Sequence, residues 1–252
     1  MRSGTSDAGA VAWGAGLAAA VLSLAAFAQS PDELLQAADV SQLAPASFRA
    51  ELRVQSEKEV LELEVWRAGD DRVLVRFLGR KDAGKFLLRR PEGLFFIAPR
   101  AKQPVRLNAS YRLSGAATLD EILGTRYSRD YRVERASDEN GPDGPAAVLE
   151  LTARGAAPYP SVRYVVRRAT RRPQRIELFV QSGRLARTLE FLAWRETAAG
   201  PRPLRLAVKD ALRPKASAQV DVVRLEERAV PEGLFSLSDD SERRRLTAAA
   251  GS

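Results

Sequence analysis

A period of two in the apolar residues constrains this chain more than any other feature. In Val60–Trp66, the apolar side chains of Leu61, Leu63 and Val65 alternate with charged ones. Successive side chains of a β-strand point to opposite faces, so this segment predicts a strand with one buried face and one solvated face. A chain dominated by this period folds as a sheet, not as a helical bundle.

Ten segments show strand patterns and are separated by short turns rich in Gly, Pro and Asp. They are Val60–Trp66, Arg72–Leu78, Lys85–Arg90, Leu94–Ala98, Ala147–Ala153, Val162–Arg168, Arg175–Gln181, Leu185–Trp194, Leu204–Lys209 and Gln219–Leu225. About ten strands with hairpin-sized gaps predict a mainly β fold, in which an antiparallel sheet curls on itself or forms a sandwich.

Two short helices interrupt the β pattern. The first begins at Ser30-Pro31-Asp32-Glu33, a capping box with proline at its first position, and ends before Pro45. The second begins at Thr118, is capped by Glu121 and stops at Gly124. A helix this short is not stable alone, so its apolar side chains must rest on an apolar surface. Those side chains are Leu119, Ile122 and Leu123.

The N-terminal residues 1–28 are interpreted as a signal peptide. A single basic residue, Arg2, precedes an uncharged run that ends in Ala26-Phe27-Ala28, the small-x-small pattern of a cleavage site. We expect cleavage after Ala28 and export to the periplasm, with an uncleaved anchor as the alternative. No cysteine follows the run, so no lipid-attachment site is predicted.

The mature chain is expected to form one domain over residues 29–237, followed by a flexible tail over 238–252. Within the domain, Ser137–Pro145 has the composition of a loop. No metal or cofactor site is expected, because the chain has neither Cys nor His and no glycine-rich phosphate loop follows a strand. The same composition removes thiol nucleophiles and histidine bases.

The net charge of +8 is compatible with nucleic acid, anionic lipid or an acidic partner. However, 34 of the 40 basic residues are arginines, scattered along the chain and often close to a carboxylate, which is typical of a solvated surface. An exported protein rarely meets nucleic acid, so no nucleic-acid partner is expected.

The order of several segments resembles a known family. These are "VLELEVW", "RVLVRF", "GLFFIAPRAKQPVRLNASYR", a short capped helix followed by "YSRDYRV", "RPQRIELFVQSGRLARTLEF" and a closing "VPEGLF". Over residues 50–237 the chain resembles the LolA-like outer-membrane lipoprotein-sorting family of periplasmic proteins.

The resemblance implies an incomplete antiparallel β-barrel, or half-barrel, with short helices as a lid over an apolar concave face. It further implies a monomeric carrier, not an enzyme, that binds lipid acyl chains or a lipoprotein and shuttles them between membranes. An inner-membrane exporter of lipids or hydrophobes and an outer-membrane acceptor would be its protein partners.

Two sets of residues are candidates for ligand contact. Candidates for the lid and the cavity lining are Leu119, Ile122, Leu123, Leu61, Leu63, Val65, Val73, Val75, Phe77 and Phe96. Phe95 and Phe96 are neighbours in one strand and therefore point to opposite faces. Basic candidates for the cavity rim, where they would meet anionic head groups, are Arg100, Lys102, Arg106 and Arg112.

Two other functions fit the same sequence. One is a non-catalytic adaptor module of the cell envelope that binds a protein partner, and a filled concave face would favour it. The other is an envelope hydrolase, which requires convergent polar groups inside a cavity. A wide apolar cavity would favour the carrier.

Overall fold

The structure is a computed structural model that describes residues 30–42, 46–99, 101, 103–108, 111–123, 125–141, 144–155, 157, 159–198 and 200–249. The predicted signal peptide and its cleavage site at Ala28 lie outside these residues. Among the described helices, none has the length and the apolar character needed to cross a membrane.

Antiparallel strands make up most of the described chain. In chain order they are β1 Ser47–Ser56, β2 Val60–Ala68, β3 Arg72–Phe77, β4 Phe86–Arg90, β5 Gly93–Ile97, β6 Val105–Leu107, β7 Arg112–Ser114, β8 Ala117–Thr118, β9 Tyr131–Gly141, β10 Gly144–Ala153, β11 Ser161–Arg167, β12 Arg172–Phe179, β13 Leu185–Thr197, β14 Gly200–Asp210 and β15 Ser217–Glu227. The helices are α1 Pro31–Gln42, α2 Leu119–Leu123, α3 Tyr127–Asp130 and α4 Ser241–Ala249, with 3₁₀ turns at Arg80–Asp82 and Glu232–Phe235.

Thirteen of these strands form one large sheet in the order β6-β5-β4-β3-β2-β1-β15-β14-β13-β12-β11-β10-β9. Two meanders, β1–β6 and β9–β15, are joined where β1 pairs with β15. The sheet is open, because β6 and β9 stand at its two edges and are not paired with each other. This confirms a mainly β fold with a large, unclosed antiparallel sheet.

Each of the ten predicted segments overlaps a strand of the sheet, but the described residues contain more strands than the expected ten. The additional ones are β1 and β6–β9. Ser137–Pro145 was predicted to be a loop, but its described residues are paired: Ser137 with Val148 and Asn140 with Pro145, where β9 meets β10. Backbone pairing with β10 holds residues 137–141 in the edge strand β9, although their side chains bury little apolar surface.

One face of the sheet, which we call the inner face, carries the main core. Its cluster contains Leu63 and Val75 from the first meander and Leu149 and Leu189 from the second. Because residues from both halves of the sheet meet in one cluster, the sheet curves around it. Helices α1, α2 and α3 contribute buried side chains to this cluster and therefore cover the inner face.

The opposite, outer face has a second cluster on the first meander. Trp66, Leu74 and Leu88 pack there against Leu234 and Phe235 from the C-terminal 3₁₀ turn. The tail that follows contains helix α4, although its polar composition predicted a flexible segment. Arg243 of α4 is buried, and its guanidinium donates to the carbonyl oxygens of Leu234 and Ser236, so α4 contacts the 3₁₀ turn.

Candidate functional site: helix α2 on the inner face

Most of the predicted cavity residues share the inner face, as their alternation requires. Leu61, Leu63 and Val65 of β2 are buried in the inner cluster. The other seven candidates lie in or against the same cluster: Val73, Val75, Phe77, Phe96, Leu119, Ile122 and Leu123. Phe95 packs in the outer cluster, which confirms that the two neighbouring phenylalanines point to opposite faces. Whether these residues contact a ligand stays a prediction.

Helix α2 rests on the inner face between the two meanders. The backbone N–H of Thr118 donates to Glu121 Oε2 at 2.9 Å, and the N–H of Glu121 donates to Thr118 Oγ1 at 3.3 Å, so the predicted capping box is present. Leu119 and Leu123 are buried and Ile122 is half-buried. The short helix rests on an apolar surface, which confirms the prediction made from its length.

Arg67 anchors the C-terminal end of α2. This residue is in phase with Leu61, Leu63 and Val65, so its side chain also points to the inner face. Its guanidinium donates from Nη1 to the carbonyl oxygen of Leu123 at 3.2 Å and from Nε to that of Gly69 at 2.8 Å. Burial lowers the pKa of Arg67 below its ordinary value, and the neighbouring Asp70 opposes this.

Two other inner-face arginines hold the remainder of α2. Arg89 of β4 forms an ion pair with Asp120. Arg187 of β13 donates from Nη1 to both carboxylate oxygens of Glu121, at 2.8 Å each, and to the carbonyl oxygen of Ala116. Burial raises the pKa of Glu121, while the charge of Arg187 opposes the rise.

We call Arg67, Arg89 and Arg187 the arginine clamp. They come from both meanders, so α2 is tied to both halves of the sheet. The sequence contains a signal for them, because each arginine occupies a strand position that its apolar neighbours assign to the buried face. Which element they would contact could not be predicted, since that depends on the curvature that brings β2, β4 and β13 around α2.

A cavity of about 950 Å³ lies beside α2 on the inner side of the second meander. Its lining includes four of the five tyrosines of the chain: Tyr111, Tyr127, Tyr131 and Tyr159. The same lining carries five arginines and three carboxylates, so it is amphiphilic and not purely apolar. We call this space the tyrosine cavity. Its volume lies within the range of about 300–1,000 Å³ typical of small-molecule sites.

The inner face directly beneath Ile122 is largely filled by side chains of the protein. Two voids of about 60 and 30 Å³ remain there, and both are lined by Ile122, Pro203 and Val222. A space of this size holds about one or two water molecules and no acyl chain. The described structure thus has apolar voids under α2 and a roomy cavity of mixed polarity beside it, instead of one wide apolar hollow.

The two predicted rim residues that the structure describes, Arg106 and Arg112, have different partners. Arg112 lines the tyrosine cavity and forms an ion pair with Asp210 at 2.8 Å. Arg106 is on the edge strand β6, where it donates to the carbonyl oxygen of Glu92 at 2.6 Å. Arg100 and Lys102 lie outside the described residues. Within the described part of the chain, no group of three or more acidic side chains could hold a metal ion.

Comparison with known proteins identifies relatives of the same fold. A family model with the description "-like: Uncharacterized protein" matches residues 69–239. A LolA superfamily protein from Nitrosomonas europaea is 25% identical, with a TM-score of 0.71, and the match covers 81% of this chain and 96% of that one.

Two further solved structures share the fold at lower sequence identity. A putative outer membrane lipoprotein-sorting protein domain from Vibrio parahaemolyticus is 19% identical, with a TM-score of 0.66, and the match covers 86% of this chain and 97% of that one. A DUF1329 family protein from Desulfovibrio piger is 16% identical, with a TM-score of 0.65, and the match covers 82% of this chain and 96% of that one. No curated protein matches the sequence.

Proposed function

The chain belongs to the LolA-like family, to which its similarity to solved structures points, and from that premise we propose that it carries lipid acyl chains or a lipoprotein. The inner face would take up the apolar chain, and α2 with α3 would act as the lid over it. The protein would act by binding and release, without catalysis.

The observation that supports this proposal most strongly is the set of contacts that hold α2 on the inner face. Its apolar side chains cover the inner face, but three strand arginines hold it by directional polar contacts. Five residues cannot form a stable helix in water, so α2 depends on these contacts for its position. Such a cover can leave the surface when another apolar molecule replaces it.

The free energy of the state with α2 on the inner face can be compared with that of the state in which an acyl chain replaces α2. Moving α2 away exposes apolar surface around Leu119, Ile122 and Leu123 and breaks the contacts of the arginine clamp. An acyl chain that takes its place gains about 0.8 kcal/mol for each methylene removed from water. About ten buried methylenes therefore provide about 8 kcal/mol, which is comparable with the cost of exposing three apolar side chains and breaking a few buried hydrogen bonds.

The periplasm is the compartment in which we propose that the protein acts. The N-terminal residues 1–28 would direct export, and cleavage after Ala28 would release a carrier that moves between an inner-membrane donor and an outer-membrane acceptor. Osmotic-shock fractionation of cells that express a C-terminally tagged chain, with mass analysis of its N-terminus, tests this step. Recovery in the cytoplasmic fraction with residues 1–28 attached would contradict it.

One observation favours the adaptor module as a second candidate. The inner face beneath Ile122 has only small voids, as expected of a face that never receives a ligand. The two candidates differ in what α2 does. In the carrier α2 is displaced by an apolar ligand, whereas in the adaptor it is a permanent part of the core.

Two adjacent residues of β15 provide a matched test of the carrier. Val222 is half-buried on the inner face and lines both voids, whereas Val223 points outward and is 57% exposed. We expect Val222→Asp to reduce binding of a fluorescent fatty acid at least tenfold, while Val223→Asp leaves it unchanged. Thermal unfolding of both variants checks that they fold. No fatty-acid binding by the folded wild type would exclude the carrier and leave the adaptor.

A further inference from the structure

The lining of the tyrosine cavity contains more arginines than carboxylates. Its lining contains the arginines Arg112, Arg129, Arg154, Arg187 and Arg213. The carboxylates in the same lining are Asp120, Glu121 and Asp130. Asp210 pairs with Arg112 and Arg213, and Asp130 pairs with Arg129, so most of these arginines already have a carboxylate partner. An anionic ligand would therefore bind by replacing a carboxylate of the protein, and the four tyrosine rings favour an apolar body attached to the anion.

Glu121 lies between this cavity and the smaller of the two voids beneath α2. Its side chain lines the tyrosine cavity on one side and the 30 Å³ void on the other, where Ile122, Phe191 and Val220 form the wall. If Glu121 moved aside, the charged cavity and the apolar inner face would become one continuous space. A molecule with an anionic head and one apolar tail has the shape and polarity of that space.

The partner of Glu121 determines what can move it. Arg187 and Glu121 form an ion pair in which the side chains are only 4% and 6% exposed. Arg187 is fixed on β13 within the sheet, whereas Glu121 belongs to the five-residue α2. Moving α2 without a substitute would leave the charge of Arg187 buried without a carboxylate partner, which is strongly unfavourable. An incoming anion removes this penalty, and a neutral ligand does not.

We propose that the site takes a single-tailed anionic amphiphile whose anionic group replaces Glu121 as the partner of Arg187, so that the ligand's charge releases α2. This inference rests on the carrier function proposed above and adds the class of ligand. The head group would lie against Arg187 in the tyrosine cavity, and the tail would extend along the inner face that Ile122 covers.

Isothermal titration of the mature chain with three probes tests the inference: decyl phosphate, the uncharged decyl glucoside, both below their critical micelle concentrations, and inorganic phosphate. We expect decyl phosphate to bind at least tenfold more tightly than decyl glucoside. Inorganic phosphate should bind at least a hundredfold more weakly than decyl phosphate, because it has no tail to cover the inner face.

Substitutions at the Arg187–Glu121 ion pair test whether Arg187 is the group that binds the anionic head of the ligand. Glu121→Gln keeps a residue that completes a capping box but removes the competing carboxylate, so we expect decyl phosphate to bind about tenfold more tightly and decyl glucoside to change less than threefold. The double variant Glu121→Gln/Arg187→Gln leaves no unpaired buried charge and should bind the two detergents within twofold of each other. Lys209→Gln, at an exposed pair with Glu190, is the control and should behave like the wild type.

The outcomes separate the two proposals. If both detergents bind equally to the wild type, or if the double variant keeps the preference for decyl phosphate, the inference is wrong while the carrier stands. If inorganic phosphate binds as tightly as decyl phosphate, the site takes a free anion and not an amphiphile. If neither detergent binds any folded variant, the carrier function itself fails, and the inference fails with it.

Discussion

Arg67 performs an unusual task for a strand residue, because it points its charge into the apolar side of a sheet. Its position at the end of β2 places the guanidinium next to the last carbonyl of α2, a group that a helix of five residues cannot satisfy internally. The same side chain also reaches Gly69 and Asp70 in the β2–β3 turn. One residue therefore links the end of α2 to the end of a hairpin.

Replacing Arg67 should loosen α2 without unfolding the sheet. We expect Arg67→Met to speed hydrogen exchange of the amides of residues 119–123 about tenfold, because loss of a buried hydrogen bond of about 1.4 kcal/mol corresponds to that factor. Exchange mass spectrometry measures it. Arg53→Met is the matched control, since Arg53 forms an exposed pair with Glu62. Equal exchange in the Arg67 variant and the control would show that α2 does not depend on Arg67.

Asp39 gives the protein a predicted pH dependence. Burial raises the pKa of this carboxyl from 3.8 to about 6, although the N–H and hydroxyl of Ser128 both donate to it at 2.7 Å. A raised folded-state pKa means that the stabilising contribution is fully present below pH 3.8 and is lost as the pH rises through about 6. This contribution amounts to at most about 3 kcal/mol.

Urea denaturation at pH 4.5 and pH 7 tests this dependence. The wild type should lose stability over this interval relative to Asp39→Asn, in which the position cannot ionise. Asp32→Asn, at an exposed position in the first turn of α1, should follow the wild type. If the free energy of unfolding of Asp39→Asn changes with pH as much as that of the wild type, Asp39 does not titrate as described.

Among the elements, α2 shows how far the sequence can predict this fold. The capping box of Thr118 and Glu121 and the three apolar residues are local signals, so the helix and its need for an apolar platform could be predicted. The arginine clamp is not local. Each of its arginines has a strand position that marks it as inward-facing, but its partner becomes visible only when the curved sheet brings β2 and β13 together.

Two of the strands beyond the ten predicted segments differ in how far their sequence specifies them. In β1, Phe48, Ala50, Leu52 and Val54 alternate and are buried, so the sequence contains a period of two that indicates this strand. In β9, most side chains are exposed and many are charged, because it is an edge strand with little apolar surface to bury. Such a strand is specified by its pairing with β10 and has no periodicity of its own.

The seating of α2 can be tested with a charged substitution in its last turn. Leu123 is 7% exposed, so we expect Leu123→Asp to lower the free energy of unfolding by about 3 kcal/mol, because it places an unpaired carboxylate against the inner face. Val40→Asp, at a position that is 67% exposed on α1, should change it by less than about 0.5 kcal/mol. Unchanged stability of the Leu123 variant would contradict the placement of α2.

At the scale of the whole molecule, the two faces of the sheet pack against different elements. The inner face and its helices hold the cavity and the voids, whereas the outer cluster is closed by the C-terminal 3₁₀ turn and α4. The composition of residues 232–249 did not predict this closure. The buried side chains there, Leu234, Phe235 and Arg243, are surrounded by polar residues that show no clear period.

The separation of the faces predicts that damage to the outer cluster reduces stability and not binding. Phe235 is 3% exposed, and Phe235→Ala should cost about 3 kcal/mol of unfolding free energy. At a temperature where the variant is folded, its affinity for a fluorescent fatty acid should equal that of the wild type. Val223→Ala, at an exposed outer position, should change neither quantity. A loss of affinity in the folded Phe235 variant would mean that the two faces are coupled.

Photo-crosslinking with a fatty acid that carries a diazirine near the end of its tail tests the central claim most directly, because it shows where the chain lies. Peptide mapping by mass spectrometry should locate the adducts in α2, in residues 48–54 of β1 and in residues 218–225 of β15, which line the space beneath Ile122. Adducts confined to outer-face segments such as the Trp66 and Phe235 cluster, or no saturable adducts at all, would contradict a carrier whose inner face is covered by α2.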